Sequence, residues 1–78
     1  MSMTKKRINE SIKHLSLEVA GRAGEGCYYF IDTDTGQAIS QAKPVMVVSM
    51  GHLSKSQWVE EAERAAKIRD EIIYLYTF

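Results

Sequence analysis

The sequence predicts an α+β fold: one small domain in the order α-β-β-β-α, with a three-stranded antiparallel sheet packed by a long C-terminal helix and an N-terminal helix. Three observations carry this prediction. Apolar residues recur at helical spacing near both ends of the chain, aromatic and β-branched runs fill the middle, and glycine and proline punctuate the joins. At 78 residues the chain has room for one core and not for two. A single domain is therefore expected over 1–78, with residues 1–3 disordered and residues 21–26 forming a Gly-rich connector.

The first helix is expected over residues 4–20. Ile8, Ile12, Leu15 and Val19 recur at i, i+4, i+7 and i+11 and form one narrow stripe. The outer face pairs Lys6 with Glu10, Glu10 with His14, and Glu18 with Arg22 at i,i+4. Leu17 disagrees, because it falls opposite the stripe. Leu15, Leu17 and Val19 also alternate with Ser16, Glu18 and Ala20, which is a strand pattern. The helix covers more residues and is preferred, with 15–20 left open between helix and strand.

The glycines of Gly21-Arg22-Ala23-Gly24-Glu25-Gly26 stop a helix and permit positive φ. Cys27-Tyr28-Tyr29-Phe30-Ile31 is aromatic and β-branched, so it predicts a strand. Asp32-Thr33-Asp34-Thr35-Gly36 then predicts a hairpin turn, opened by an acceptor side chain and closed by Gly36 in the left-handed region. A second strand is expected over 37–42 around Ile39. Lys43-Pro44 breaks it, since proline has no N–H for the ladder. Val45-Met46-Val47-Val48-Ser49-Met50 is apolar on both faces and predicts the best-buried strand. Gly51-His52 turns out of it.

The last helix is expected from about Lys55 to Leu75. Ser54 and Gln57 fit a capping box, with Leu53 and Trp58 at the staple positions around it. Glu60, Arg64, Lys67 and Glu71 form its wet face, with Glu60–Arg64, Glu63–Lys67 and Lys67–Glu71 in register. Trp58, Val59, Ala62, Ala65, Ala66, Ile68, Ile72, Ile73, Leu75 and Tyr76 fill an apolar arc of roughly 200°. One face of such an arc can lie on the sheet. The remainder needs the N-terminal helix or another subunit.

Composition excludes several function classes. Ten Lys and Arg balance ten Asp and Glu, and the pI is near 6.7, which argues against a protein that coats polyanions. No apolar run approaches the roughly 20 residues of a membrane span, and no apolar segment follows the basic N-terminus as a secretory signal would require. A cytoplasmic protein without membrane attachment is expected. One cysteine excludes an internal disulfide framework and any multi-cysteine zinc site.

The chemistry-bearing patterns mostly resolve into simple structure. The Asp32-x-Asp34 start resembles a calcium loop, but its sixth position is Gln37 and its twelfth is Lys43, where glycine and glutamate are needed. A phosphoaspartate nucleophile would need a larger α/β frame to place its lysine and further carboxylates. The run Gly21-x-x-Gly24-x-Gly26 follows an expected helix and opens a strand, the reverse of phosphate-binding loops. Cys27 could take His14 or His52 as a base, yet a lone cysteine at a strand start is more often a small buried hydrophobe. No metal site and no cofactor are expected, and neither is an enzyme.

What remains are surfaces. Residues 1–26 hold five bases (Lys5, Lys6, Arg7, Lys13, Arg22) against three acids, a local net charge of +2. That patch, with a polar sheet face of Gln37, Ser40, Gln41 and Tyr28 or Tyr29, could touch nucleic-acid phosphates, weakly and with strong salt dependence. Arg69 falls near the middle of the apolar arc. Either its stem packs while its guanidinium reaches Asp32 or Asp34, or it anchors an interface. The C-terminal Ile72-Ile73-Tyr74-Leu75-Tyr76-Thr77-Phe78 is unusually apolar for a chain end and must dock on something. The expected function is a small cytoplasmic protein-interaction module that binds a protein partner or self-associates, with Arg69, Tyr74, Tyr76 and Phe78 as contact residues. Size and neutral charge suit an accessory or regulatory protein of a bacterial or phage genome. The alternative is a nucleic-acid-binding regulator that uses Lys5, Lys6, Arg7, Lys13 and Arg22.

Overall fold

A computed structural model describes residues 4–21, 26–39, 42–47 and 49–76, with side chains through Glu71. It is a small α+β structure of two helices and a two-stranded antiparallel sheet. Helix α1 spans Lys5–Ile12, strand β1 Leu17–Gly21, strand β2 Tyr28–Asp32, and helix α2 Lys55–Tyr76.

Helix α1 starts where the Thr4 hydroxyl accepts from the Arg7 N–H at 3.2 Å, which satisfies one orphan donor of the first turn. It buries Ile8 and Ile12 and stops there, well short of residue 20. A 3-10 turn, Lys13–Leu15, follows, and Ser16 adopts the left-handed conformation at φ 57°. The helix expected over residues 4–20 is thus corrected, and of the alternation read at 15–20 the part from Leu17 onward forms a strand, while Leu15 lies in the 3-10 turn. The reason is burial. Leu17 and Val19 are 2% and 4% exposed while Glu18 between them is exposed. Only period-2 geometry brings both apolar side chains to one face. The Asn9 side chain then accepts from the Val19 N–H at 2.8 Å, covering a donor on the free edge of β1.

Strand β1 pairs with β2 from Leu17 opposite Asp32 to Gly21 opposite Tyr28. Gly21 ends β1 at φ 125°, and a Cβ there would lie 2.6 Å from the Cys27 carbonyl oxygen. The rest of the expected Gly-rich connector, 22–25, lies outside the described residues. The turn after β2 forms as read. Gly36 donates to the Asp32 carbonyl at 2.8 Å, Asp32 donates to the Gln37 carbonyl at 2.9 Å, and the Asp34 N–H donates to Asp32 Oδ1 at 2.8 Å. Gly36 supplies the positive φ, 74°, that returns the chain.

Strands were expected over 27–31, 37–42 and 45–50; among the described residues only the first forms, as β2, and its ladder partner is β1, from the segment expected as helix. The returning chain meets β2 only at single points, Ala38 opposite Ile31 and Val45 opposite Tyr28. It still satisfies the second edge of β2. Ile39 donates to the Phe30 carbonyl at 3.0 Å, while Tyr28 and Val45 exchange both hydrogen bonds at 2.9 and 2.7 Å. Pro44 contributes no N–H, and Val47 turns back to donate to the Val45 carbonyl at 3.1 Å, which breaks any regular ladder. Of the segment expected to be best buried, Val45 and Met50 are buried, but Met46 is 72% exposed. Met50 instead opens a 3-10 turn, Met50–His52. Residues 40, 41 and 48 lie outside the described residues.

Helix α2 begins with the capping box. The Gln57 N–H donates to Ser54 Oγ at 3.2 Å, and the Ser54 N–H donates to Gln57 Oε1 at 2.8 Å. Trp58 is fully buried, with its indole N–H donating to the Met50 carbonyl at 2.9 Å. Its ring meets Tyr28 and Phe30 edge-on at centroid distances of 5.6 and 6.5 Å. Ile8, Ile12, Leu17, Val19, Ala62, Ala65 and Ala66 complete that core with Ile39, Val45 and Met50. Alanines at three of the packing positions let α2 lie close to its neighbours.

Candidate interaction surfaces

Three surfaces hold the residues singled out from the sequence. The first is the far end of the domain, where Arg69 sits. The even-numbered side chains of β2 point inward, so Asp32 follows Tyr28 and Phe30 into the interior and is 8% exposed. A buried carboxylate needs partners. Its Oδ1 accepts from Asp34, and its Oδ2 lies 3.6 Å from Arg69 Nη1. The same Nη1 donates to the Leu15 carbonyl at 2.8 Å and reaches the Ser16 carbonyl at 3.5 Å. Arg69 Nε donates to Asp70 at 3.0 Å. The Ser16 carbonyl also accepts from the Thr33 N–H at 2.9 Å. A single guanidinium therefore ties α2 to the corner between α1 and β1 and to the end of β2.

Of the two roles read for Arg69, the packing of its stem with its guanidinium on Asp32 describes where this side chain lies. Its side chain is 16% exposed. Asp32 was one of the two acids expected to meet Arg69, and its parity with Tyr28 and Phe30 on β2 is what favours it over Asp34. The Leu15 and Ser16 carbonyls were not expected as acceptors. Ser16 had no legible signal, since its left-handed backbone reflects how the chain is forced to turn between two packed elements. Helix α2 continues to Tyr76. The side chains of Tyr74 and Tyr76, like all of Phe78, lie outside the described residues.

The second surface is basic. Arg7 and Ser11 share a groove with Lys55 and Val59 at one end of the domain, while Leu15 meets Arg69 at the other. Helices α1 and α2 thus run in the same sense, with both N-termini at one end. Lys5, Lys6 and Lys13 are exposed, and Arg7 is half-buried. Lys6 and Lys13 line a groove that also holds Glu10 and Glu18, so their charge is compensated locally. Arg22 lies outside the described residues.

The third surface is the outward face of the sheet. Glu18, Ala20, Tyr29 and Ile31 occupy it, with Tyr29 40% exposed and Tyr28 turned into the core at 1%. Gln37 is exposed beside it, while Ser40 and Gln41 lie outside the described residues. Among the described strand residues this face carries one acid and no base.

The groups considered for catalysis stand apart in the chain's elements. Cys27 is half-buried just before β2, and His14 and His52 are exposed in the two 3-10 turns. Among the described residues, no three His, Cys, Asp or Glu side chains stand together to hold a metal ion. No described helix is long and apolar enough to cross a membrane.

Fold and surfaces together define a small α+β protein. The chain matches no known protein-family model, no curated protein and no solved structure.

Proposed function

We propose that this chain is a small protein-interaction module without catalytic activity, acting in the cytoplasm as an accessory or regulatory protein of a bacterial or phage genome. One observation carries the reading. Among the described side chains, which end at Glu71, Ala66 is the last of α2 in the core, and the helix itself runs on to Tyr76. The sequence at the end of the helix and just after it is Ile72-Ile73-Tyr74-Leu75-Tyr76-Thr77-Phe78. Seven residues of helix beyond Arg69 add about 10 Å, enough to present an apolar, aromatic segment to a partner. Tyr74, Tyr76 and Phe78 are the contacts, since aromatic side chains dominate interface energetics. Arg69 supports them by anchoring the helix that carries them.

Self-association is the form testable with the chain alone. Light scattering over rising concentration should move from 8.8 kDa toward twice that mass, and Tyr76→Ala with Phe78→Ala should hold the protein at the lower value. A monomer mass at millimolar concentration removes self-association and leaves only a different protein as partner.

The second reading is a nucleic-acid-binding regulator. It is favoured by the exposed Lys5 and Lys6 beside the joint N-terminal end of α1 and α2, where Lys55 is also exposed. An amide NMR titration with mixed-sequence duplex DNA and RNA separates the two. Shifts at residues 5–13 that survive near-physiological salt would put this reading first, and silence at low salt would remove it.

A further inference from the structure

We propose that residues 13–20 are a switch segment with a second, helical state, and that the Asn9 and Arg69 side chains hold it in the observed form. Continuing α1 past Leu15 would require the Val19 N–H to donate to the Leu15 carbonyl, the bond between positions i+4 and i of a helix. Both halves of that bond are occupied from elsewhere. The Val19 N–H donates to Asn9 Oδ1 at 2.8 Å, and the Leu15 carbonyl accepts from Arg69 Nη1 at 2.8 Å. The next helical acceptor, the Ser16 carbonyl, takes the Thr33 N–H at 2.9 Å. Ser16 is itself the break. At φ 57° and ψ 42° it lies in the left-handed region, and its N–H donates to the Lys13 carbonyl where a helix would use that of Ile12.

The segment carries the pattern of the helix it is denied. Ile8, Ile12, Leu15 and Val19 share one stripe at helical spacing, and Ile8 and Ile12 already lie in the core. In the helical state Leu15 and Val19 extend that stripe, and Leu17 leaves the core. The cost falls on β2. Tyr28, Phe30 and Asp32 turn their backbone groups to the returning chain, so Tyr29 and Ile31 turn theirs to β1. Release of β1 leaves those groups without ladder partners, which keeps the helical state minor. The observed form therefore rests on two separate contributions: pairing with β2, and two side chains that deny α1 its next hydrogen bond. Removing only the second shifts the balance between the states and leaves the sheet residues unaltered.

Saturation-transfer NMR on the full chain, which reads the chemical shifts of a minor state, tests the switch. In the double variant Asn9→Ala with Arg69→Met, residues 15–20 should exchange with a state whose Cα shifts are helical. Its population should be at least about tenfold that in the unaltered chain, the effect of two lost hydrogen bonds. A minor state with random-coil shifts would overturn the switch, because β1 would then only fray. So would the absence of any exchange at 15–20 in the double variant. Should that variant fail to fold, substitutions at Ser16 read the same balance without touching either side chain. A helix needs Ser16 right-handed, so Ser16→Ala favours the helical state, while Ser16→Gly tolerates the left-handed corner and disfavours the helix. The helical population should be at least about fivefold higher in Ser16→Ala than in Ser16→Gly. Equal populations, the reverse order, or no helical state in either would overturn the proposal.

Discussion

Single residues in this protein differ sharply in what their surroundings demand. Gly21 and Gly36 both have positive φ, at 125° and 74°. A Cβ at Gly21 would strike the Cys27 carbonyl oxygen at 2.6 Å, whereas at Gly36 it would meet open space. Gly36→Ala should therefore cost about 1 kcal/mol, the strain of the left-handed conformation alone. Gly21→Ala should cost more, about 2–4 kcal/mol, because backbone must also move. Urea denaturation of both variants checks the order, and equal losses would refute the steric account. Trp58 makes the second residue-scale prediction. Trp58→Phe leaves the Met50 carbonyl without its indole donor and a gap beside Tyr28, so about 2 kcal/mol should be lost.

At the scale of elements, what decides is how each one starts and stops. The start of α2 was plain in Ser54-Lys55-Ser56-Gln57, because a capping box is closed by neighbours in sequence and needs nothing from the rest of the fold. Ser54→Ala should cost about 1 kcal/mol, read from the shift in thermal midpoint, and no shift would show that the box is ornamental. The end of α1 was not legible in the same way. Ile8, Ile12, Leu15 and Val19 fit a helix as well as Leu15, Leu17 and Val19 fit a strand. What settled it was an available sheet partner, β2, and the Asn9 side chain that covers the Val19 N–H. Surface pairs on α2 show a milder version. Arg64 meets Glu61 at 3.1 Å and not Glu60, because both spacings bring side chains within reach on a helix.

For the molecule as a whole, two kinds of charge pair can be told apart by where they sit. Arg64 and Glu61 are 66% and 28% exposed, within one turn of one helix. Arg69 and Asp32 are 16% and 11% exposed and join the last helix to the hairpin. A double-mutant cycle should give a coupling below about 0.5 kcal/mol for the first pair and about 1–2 kcal/mol for the second. Raising salt should erase the first and leave most of the second, since water and ions screen only the exposed pair. Comparable couplings at both pairs would contradict the burial of Arg69.

The sequence by itself determined what depends on near neighbours. Helix α2, its cap, the apolar strand at Tyr28-Tyr29-Phe30-Ile31, the Asp32–Gly36 turn and the α+β class all follow from spacing, capping and turn chemistry within a few residues. The aromatic C-terminus and the basic patch were legible in the same local way, as composition. Only the tertiary structure decided the rest. It turned residues 17–21 into a strand and reduced the expected strands over 37–42 and 45–50 to single contacts on β2. It aligned α1 and α2 in one sense and bound Arg69 to a corner far away in sequence. In each case the deciding free energy is a contact between residues distant along the chain, burial of Leu17 with Val19 or a guanidinium on a remote carbonyl. No local pattern encodes such a contact, because the same spacing of side chains is satisfied by more than one partner until the core closes.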